Sequence, residues 1–187
     1  MNKYLIILFS LTLLILESGC SVDNYLLVQQ FDQPSCSGIV LTSVFYQTNQ
    51  CFQGILATCN SQTNIASLSN YNNTECEGSP STMKFQLGCN SLTGFSCIEQ
   101  LPTDIPSTVG SSNYFNSTCQ NDPYYVELKT IGICTNSAVV QCNSTELTIS
   151  KFENQDCTGQ PSNQQHILID TQCKITTNGS SQIICNS

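Results

Sequence analysis

Hydrophobic and polar residues alternate along most of this chain, in short runs separated by glycine, proline, asparagine and serine. The clearest runs lie at residues 39–46, 85–89, 124–129 and 166–169. Alternation of this kind is typical of a β-strand that buries one face. No stretch after residue 20 has the apolar spacing of an amphipathic helix. The pattern therefore predicts an all-β protein.

The start of the chain differs, because residues 4–16 are almost entirely apolar and follow a single positive charge at Lys3. This pattern is typical of a secretory signal peptide, and it is shorter than the roughly 20 apolar residues of a membrane span. We predict cleavage after Cys20, which removes residues 1–20 and leaves an even number of cysteines. The alternative is that Cys20 carries a lipid, as in bacterial lipoproteins, although Leu16 lies one residue too far upstream for that signal.

One motif recurs along the chain: an aromatic residue, four further residues, a cysteine, one residue and a glycine. It starts at Phe31, Tyr71 and Phe152, and a copy from Tyr114 has Asn121 in place of the glycine. The regular spacing indicates duplication into four units of about 40 residues. We interpret each copy as a hairpin folded back on itself, where a side chain on the glycine would collide with the ring or force an unfavourable φ. Asparagine is the next residue to tolerate that backbone.

Twelve cysteines follow residue 20, and in a secreted chain they predict a disulfide framework rather than a metal or redox site. We predict no metal site and no cofactor, because there is no Cys-x-x-Cys pair and His166 is the only histidine. Each unit has three cysteines, so only a half of the chain, with six, can close all its bridges; the spacing leaves their connectivity open. The predicted bridging residues are Cys36, Cys51, Cys59, Cys76, Cys89, Cys97, Cys119, Cys134, Cys142, Cys157, Cys173 and Cys185.

Residues 101–112 contain two prolines, a glycine and small polar residues, a composition typical of a linker. We therefore predict two domains, at residues 21–100 and 113–187. Domains of this size bury limited apolar surface, so we expect their disulfides to supply much of the stability.

In its spacing the motif resembles that of the βγ-crystallin Greek-key superfamily, in which a second ring stands where this chain has cysteine. Cysteine-rich plant antimicrobial proteins of the same fold are similar in having six cysteines in one domain, and residues 71–97 resemble their second motif. The resemblance implies two disulfide-rich Greek-key β-sandwich domains, with bridges that cross between the two units of each domain. The implied pairs are Cys36–Cys89, Cys51–Cys76, Cys59–Cys97, Cys119–Cys173, Cys134–Cys157 and Cys142–Cys185. The composition, rich in asparagine and free of arginine, also resembles that of secreted cysteine-rich proteins of social amoebae.

Charge excludes two classes of partner. Residues 21–187 contain four lysines, twelve acidic residues and no arginine, which gives a net charge of −8. Proteins that bind nucleic acids or anionic membranes need basic clusters, so we predict neither kind of partner.

No residue is predicted to be catalytic. His166 begins a predicted strand with no acid or nucleophile fixed near it, and Glu153 and Asp156 are interpreted as solvated turn acids. Many members of the resembling superfamily bind calcium, but residues 176–177 are threonines where that motif has acids or amides before the serines at 180–181. The motif is therefore incomplete and the sequence leaves calcium binding open; a melting temperature unchanged by calcium and by chelator would exclude it.

Four Asn-x-Ser/Thr sequons predict N-glycosylation of a secreted protein. The acceptor residues are Asn72, Asn116, Asn143 and Asn178. Chance sequons are common in a chain this rich in asparagine, serine and threonine, so we expect about three of the four to be used.

Together these features predict a secreted, non-enzymatic glycoprotein that acts as an extracellular binding or structural module in adhesion, matrix or signalling. Its partner is expected to be an extracellular protein or glycan, and the sequence leaves that partner's identity and the oligomeric state open. The alternative is a secreted defence protein or inhibitor of the same fold. Such proteins act on microbial surfaces and tend to be basic, so the charge of −8 argues against this alternative.

Overall fold

Sixteen β-strands and one short 3₁₀ turn, η1 (Pro34–Cys36), form the regular structure of the described residues. These are residues 23–103, 105–177 and 179–186 of a computed structural model, so the predicted signal peptide, residues 1–20, lies outside them. The first half of the chain contains β1 (Tyr25–Gln33), β2 (Ser37–Gln47), β3 (Cys51–Phe52), β4 (Ile55–Asn60), β5 (Ile65–Asn70), β6 (Ser81–Gln86), β7 (Gly88–Asn90) and β8 (Thr93–Ile98). The second half contains β9 (Thr108–Tyr114), β10 (Tyr125–Thr130), β11 (Cys134–Thr135), β12 (Ala138–Cys142), β13 (Glu146–Lys151), β14 (Asn163–Leu168), β15 (Lys174–Thr176) and β16 (Gly179–Asn186).

The predicted all-β class is confirmed. Among the described residues, no helix is long and apolar enough to cross a membrane. The segment at residues 85–89, predicted as one run, is divided between two strands that belong to different sheets. The division occurs where Gly88 adopts a φ of +103°, a conformation that side chains rarely allow.

The strands form one large antiparallel sheet and two small ones. The large sheet has the order β15-β16-β9-β10-β2-β1-β8-β7, and the small sheets have the orders β3-β4-β5-β6 and β11-β12-β13-β14. The same arrangement of four strands extends in both directions from the β2–β10 pair: β2-β1-β8-β7 in the first half and β10-β9-β16-β15 in the second. The two halves are therefore related by an approximate two-fold axis. Each small sheet covers the same face of the large sheet, over the strands of its own half.

The two halves share this large sheet across their boundary. The predicted linker, 101–112, is connecting chain only as far as Ser107, because its last five residues belong to β9. This segment, with consecutive small residues at 110–112, pairs with both β10 and β16. The division into two domains and the Greek-key assignment stay predictions.

Five aromatic rings run across the junction between the halves. Tyr46 of β2 contacts Tyr125 of β10 with ring centroids 5.3 Å apart, and Phe52 lies 4.8 Å from Tyr125. The series continues from Phe52 to Tyr124 at 4.7 Å and from Tyr124 to Phe115 at 4.1 Å. Aromatic pairs at these distances stabilise beyond the area that they bury. The halves are therefore joined by ring packing as well as by hydrogen bonds.

The large sheet has a buried core on each face. On the face opposite the small sheets, the buried side chains are Tyr25, Phe45, Val126 and Leu128, and Leu101 and Ile105 of the connecting segment pack against them. On the other face, Leu26 packs with Ala57 and Ala66 of the first small sheet, and all three are almost completely buried. The connecting segment therefore helps to bury the core that both halves share.

Six disulfides stay within the halves, three in each. They join Cys36 to Cys89, Cys51 to Cys76, Cys59 to Cys97, Cys119 to Cys173, Cys134 to Cys157 and Cys142 to Cys185. These are the pairs that the βγ-crystallin resemblance implied, and each connects one unit to the other unit of its half. The third bridge of each half, such as Cys59–Cys97, connects the small sheet to the large sheet.

Buried tyrosines make the fold sensitive to alkaline pH. Burial, followed by the nearby charge of Asp122, raises the pKa of Tyr25, whose hydroxyl donates a hydrogen bond to the Pro123 carbonyl oxygen at 2.8 Å. Burial, followed by the charge of Glu127, also raises the pKa of Tyr125. Folding therefore keeps these phenols protonated above pH 10, where the unfolded chain releases their protons.

We expect the free energy of unfolding to be independent of these tyrosines below about pH 10 and to decrease as the pH rises above it. Urea unfolding from neutral to alkaline pH, with tyrosinate absorbance recorded in parallel, measures this effect. The Tyr25→Phe variant serves as the control and should lose part of the pH dependence. An unfolding free energy that stays constant through this range would contradict the prediction.

Candidate binding cleft

The four recurring motifs each connect two neighbouring antiparallel strands, as the folded-hairpin interpretation predicts. Their cysteines share a left-handed backbone, with φ between 50° and 57°: Cys36, Cys76, Cys119 and Cys157. The residue two positions later is left-handed too, with φ from 67° to 89°: Gly38, Gly78, Asn121 and Gly159. Each disulfide to a motif cysteine therefore holds a backbone conformation that is unfavourable for a residue with a side chain.

Of the two reasons expected for the motif glycines, the unfavourable φ is confirmed and the collision with the ring is wrong. A Cβ atom added to Gly78 or Gly159 would meet nothing within 4 Å, and one added to Gly38 would meet the Asp32 carboxylate rather than Phe31. The Phe31 ring instead lies against Gly94 of β8. The motif glycines are therefore required by their positive φ and not by the space that a ring occupies.

Asparagine at the third motif position closes three of the four hairpins, a role that the sequence analysis missed. The Asn73 side chain accepts hydrogen bonds from the Glu75 and Glu77 backbone amides at 3.2 and 3.0 Å and donates one to the Glu77 carbonyl oxygen at 2.7 Å. Asn116 makes the corresponding contacts with the third motif, and Asn154 donates to the Thr158 carbonyl oxygen in the fourth. The recurrence of asparagine at one position was the signal for this role.

The predicted glycosylation sites differ in their surroundings. Asn72 and Asn143 are exposed. Asn116 is half-buried, and its Nδ2 atom donates to the Gln120 carbonyl oxygen within the hairpin. Asn178 lies outside the described residues.

We expect Asn72 and Asn143 to carry glycans and Asn116 to be mostly unmodified, because a glycan on its Nδ2 atom has to leave through the folded hairpin. Site occupancy by peptide mass spectrometry, after glycosidase treatment in heavy-oxygen water, measures this. Full occupancy of Asn116 would show that the hairpin accommodates the sugar, and unchanged gel mobility after treatment would refute all of the sites.

Two further candidate residues have partners that the sequence analysis did not foresee. The expectation that no acid lies near His166 is wrong, because its Nδ1 atom contacts the Glu146 carboxylate on the neighbouring strand. The His166 side chain is exposed and the Glu146 side chain is partly exposed. Ser180, part of the incomplete calcium pattern, is buried; its hydroxyl donates to the Asn116 carbonyl oxygen at 2.6 Å and accepts from the Cys119 amide at 3.1 Å. Ser180 therefore supports the third hairpin.

The fourth hairpin contains an acidic residue, Asp156, whose pKa is lowered by neighbouring residues of the same hairpin. Hydrogen bonds from the side chain and backbone of Thr158 lower the pKa of Asp156, which is fully exposed. Asp156 therefore behaves as the solvated turn acid that the sequence predicted.

An open cleft lies in the second half, between the large sheet and the small sheet β11–β14. Its volume is about 370 Å³, a size typical of ligand pockets. The floor is formed by β9, β10 and β16 and the roof by β12, β13 and β14. Aliphatic side chains line most of it, among them Val109, Val140, Leu147, Ile149, Ile167 and Ile183. Leu168, at its edge, is 87% exposed.

The floor of the cleft has a counterpart in the first half, where a ring takes the place of an aliphatic side chain. Val28 of β1 pairs with Phe95 of β8, and in the same register Ser111 of β9 pairs with Ile183 of β16. Phe95 and Ile183 are equivalent positions, because each lies two residues before the cysteine that connects its strand to the small sheet, Cys97 in β8 and Cys185 in β16. At these two positions the floor of the second half therefore has Ile183 where the first half has the Phe95 ring, and Ser111 where it has Val28.

The roof shows the same change. Ala66 of β5 pairs with Phe85 of β6, and in the same register Leu147 of β13 pairs with Ile167 of β14. The larger Leu147 compensates in part for the absent ring, but it is only half-buried, whereas Ala66 is completely buried. The Leu147 side chain therefore does not fill the space between the large sheet and the small sheet.

In the first half, Phe85 and Phe95 stack between the sheets with centroids 4.5 Å apart and an angle of 13° between the ring planes. Their counterparts, Ile167 and Ile183, line the open cleft. The same fold thus occurs twice in one chain, once with the space between its layers filled by rings and once with that space open.

One side of the cleft is charged. Lys129 is the counterpart of Tyr46, because Leu26 pairs with Tyr46 in the first half and Val109, which is equivalent to Leu26, pairs with Lys129 in the second. The Lys129 Nζ atom lies 3.6 Å from a Glu127 carboxylate oxygen, and the other carboxylate oxygen accepts a hydrogen bond from the Tyr125 hydroxyl at 3.1 Å. The cleft therefore combines an apolar interior with one ion pair at its side.

Comparison with known proteins assigns the chain to a family. A family model described as counting factor-associated protein A/B/C matches residues 2–187. The chain belongs to this family. No curated protein and no solved structure matches the chain, so its relation to the βγ-crystallin superfamily stays a prediction.

The family assignment agrees with the features described above. Six disulfides and an all-β fold are typical of proteins that work outside the cell. In this counting factor-associated family member, Glu127 and Lys129 are the charged residues among the described lining of the cleft. The arrangement is suited to holding an apolar group.

Proposed function

We propose that this protein is a secreted, non-enzymatic binding module that holds an apolar group in the cleft of its second half. One observation carries the proposal: the interlayer space that Phe85 and Phe95 fill in the first half is open, aliphatic and accessible in the second. Protein interiors are normally close-packed, and exposed apolar surface that is left open in this way is typical of a binding site.

The family and the disulfides support an extracellular setting. The family description refers to association with a counting factor, and we propose that this chain likewise works with other proteins of an extracellular assembly, in adhesion, matrix or signalling. The four folded hairpins and the implied disulfide pairs also support our proposal that the fold derives from the βγ-crystallin Greek key. Six disulfides suit an oxidising compartment.

The experiment uses the oxidised protein and a neutral apolar fluorophore, N-phenyl-1-naphthylamine. We expect the dye to bind at one site with increased fluorescence. The double variant Ile167→Phe/Ile183→Phe restores the two rings of the first half, and it should bind the dye at least about tenfold more weakly while melting at the same or a higher temperature.

The matched control is Ile175→Phe, which adds the same ring to β15, outside the cleft, where Ile175 is 76% exposed. It should bind the dye as the wild type does. Equal binding by the double variant, or no binding by the wild type, would overturn the proposal.

A further inference from the structure

We propose that the cleft takes an amphiphile with a single linear aliphatic chain and an anionic head group, the chain lying between the sheets and the head group at Lys129. This inference rests on the proposed function, since it names the ligand class of that same site. A fatty carboxylate and a monoalkyl phosphate share this chemistry.

The shape of the cleft favours a linear chain. Packed sheets lie about 10 Å apart, so the space left when two stacked rings are removed is a slot rather than a round cavity. The slot crosses three strands of the floor and three of the roof. Its volume of about 370 Å³ has room for on the order of a dozen groups of the size of a water molecule or a methylene.

The lining favours a saturated chain over an aromatic ligand. No described aromatic side chain lines the cleft, although rings occupy the matching positions in the first half. In the floor, Ser111 stands where the first half has Val28, and a smaller side chain there deepens the slot. Methylene groups against Val, Leu and Ile side chains gain dispersion contacts without any requirement for ring geometry.

The polar residues favour an anion as the head group. Lys129 replaces Tyr46 of the first half, and its side chain is 60% exposed, which allows the ammonium group to reach a ligand at the mouth. It is one of only four lysines in residues 21–187, which contain no arginine. The Glu127 carboxylate already accepts a hydrogen bond from Tyr125, so it has a second partner when Lys129 turns towards the ligand.

The opposite charge is less suited to this site. A cationic head group would have to pair with Glu127, which is less exposed than Lys129 and already accepts a hydrogen bond from Tyr125, while the more exposed Lys129 ammonium would repel it.

The experiment measures displacement of bound N-phenyl-1-naphthylamine by four probes with the same dodecyl chain: dodecanoate, dodecyl phosphate, dodecanol and dodecylamine. All are used below their micelle concentrations. We expect each anion to displace the dye at a concentration about tenfold lower than dodecylamine does, with dodecanol between them. The order of the two anions distinguishes a carboxylate from a phosphate source.

The Lys129→Gln variant should lose most of the preference for anions, measured as the ratio of the concentrations at which each anion and dodecanol displace the dye, so that a change in dye affinity cancels. The control is Lys174→Gln, since Lys174 lies on the edge strand β15, is paired with Asp170 and does not line the cleft, so its loss should not affect the preference. An anion preference that survives Lys129→Gln, or no preference among head groups, would overturn the ligand class while leaving the binding module standing. Absence of dye binding by the wild type would overturn the proposed function itself.

Discussion

Replacing Cys59 and Cys97 together by alanine is expected to lower the free energy of unfolding by about 4 kcal/mol. The bridge spans 38 residues, and closing a loop of that length is worth about this much in the chain-entropy model. It also joins β4 of the small sheet to β8 of the large sheet, and Cys59 packs against the cluster of Leu26, Ala57 and Ala66. Removing it frees the two layers to separate and opens a void in the filled core. Urea unfolding of the oxidised protein measures the loss.

The matched control is the double alanine variant of Cys51 and Cys76, which removes a bridge of 25 residues within one small sheet. From chain entropy alone, the losses of unfolding free energy in the two double variants should differ by only about 0.4 kcal/mol. Because, of these two bridges, only Cys59–Cys97 connects the small sheet to the large sheet, we expect the two losses to differ by clearly more than this amount. Equal losses would show that connecting the layers contributes nothing beyond chain entropy.

Replacing Gly110 by alanine is expected to cost about 3 kcal/mol or more. Gly110 lies in β9, paired on one side with Leu128 and on the other with Ile184. An added Cβ atom would lie 1.7 Å from the Glu127 carbonyl oxygen, which is backbone and part of the sheet. Since β9 is held between two strands, it cannot move away from one without losing hydrogen bonds to the other. Thermal and urea unfolding measure the cost.

The comparison variant is Gly132→Ala, where φ is +75° but an added Cβ would meet nothing within 4 Å. That change should cost only about 1 to 2 kcal/mol, from backbone conformation alone. A Gly110→Ala protein as stable as Gly132→Ala would mean that the sheet can relax around the new side chain. In the first half the corresponding position is Leu27, so this close approach is specific to β9 and β10.

The same fold occurs in both halves of the chain, but the space between its two layers is used differently in each half. In the first half Phe85 and Phe95 make the space between the layers part of the stabilising core. In the second half Ile167 and Ile183 leave it open, and the Cys142–Cys185 bridge holds the layers of that half together without the rings. A disulfide framework therefore makes it possible to keep an unfilled site in a small β protein.

Some features of the candidate site were accessible from the sequence and others were not. Aligning the second unit with the fourth shows that Phe85 lies near His166 and Ile167, but only the pairing registers establish that Ile167 is its counterpart. The recurrence of asparagine at residues 73, 116 and 154 could have indicated the closed hairpins, because side-chain capping of a turn depends on short-range geometry. The contact between His166 and Glu146 could not be foreseen, since it depends on the register of two strands.

The sequence by itself determined the strand class, the four hairpin motifs, the positive φ of their glycines and the arrangement of the chain into two similar halves. These features follow from local patterns, namely the period of alternation, the conformational freedom of glycine and asparagine, and the spacing of repeated residues. Only the tertiary structure decided that the halves share one eight-stranded sheet through β2 and β10, and that one interlayer space is filled while the other is open. Both depend on which strands, far apart in the chain, lie side by side, and on how side chains from opposite layers fill the volume between them, which no local pattern specifies.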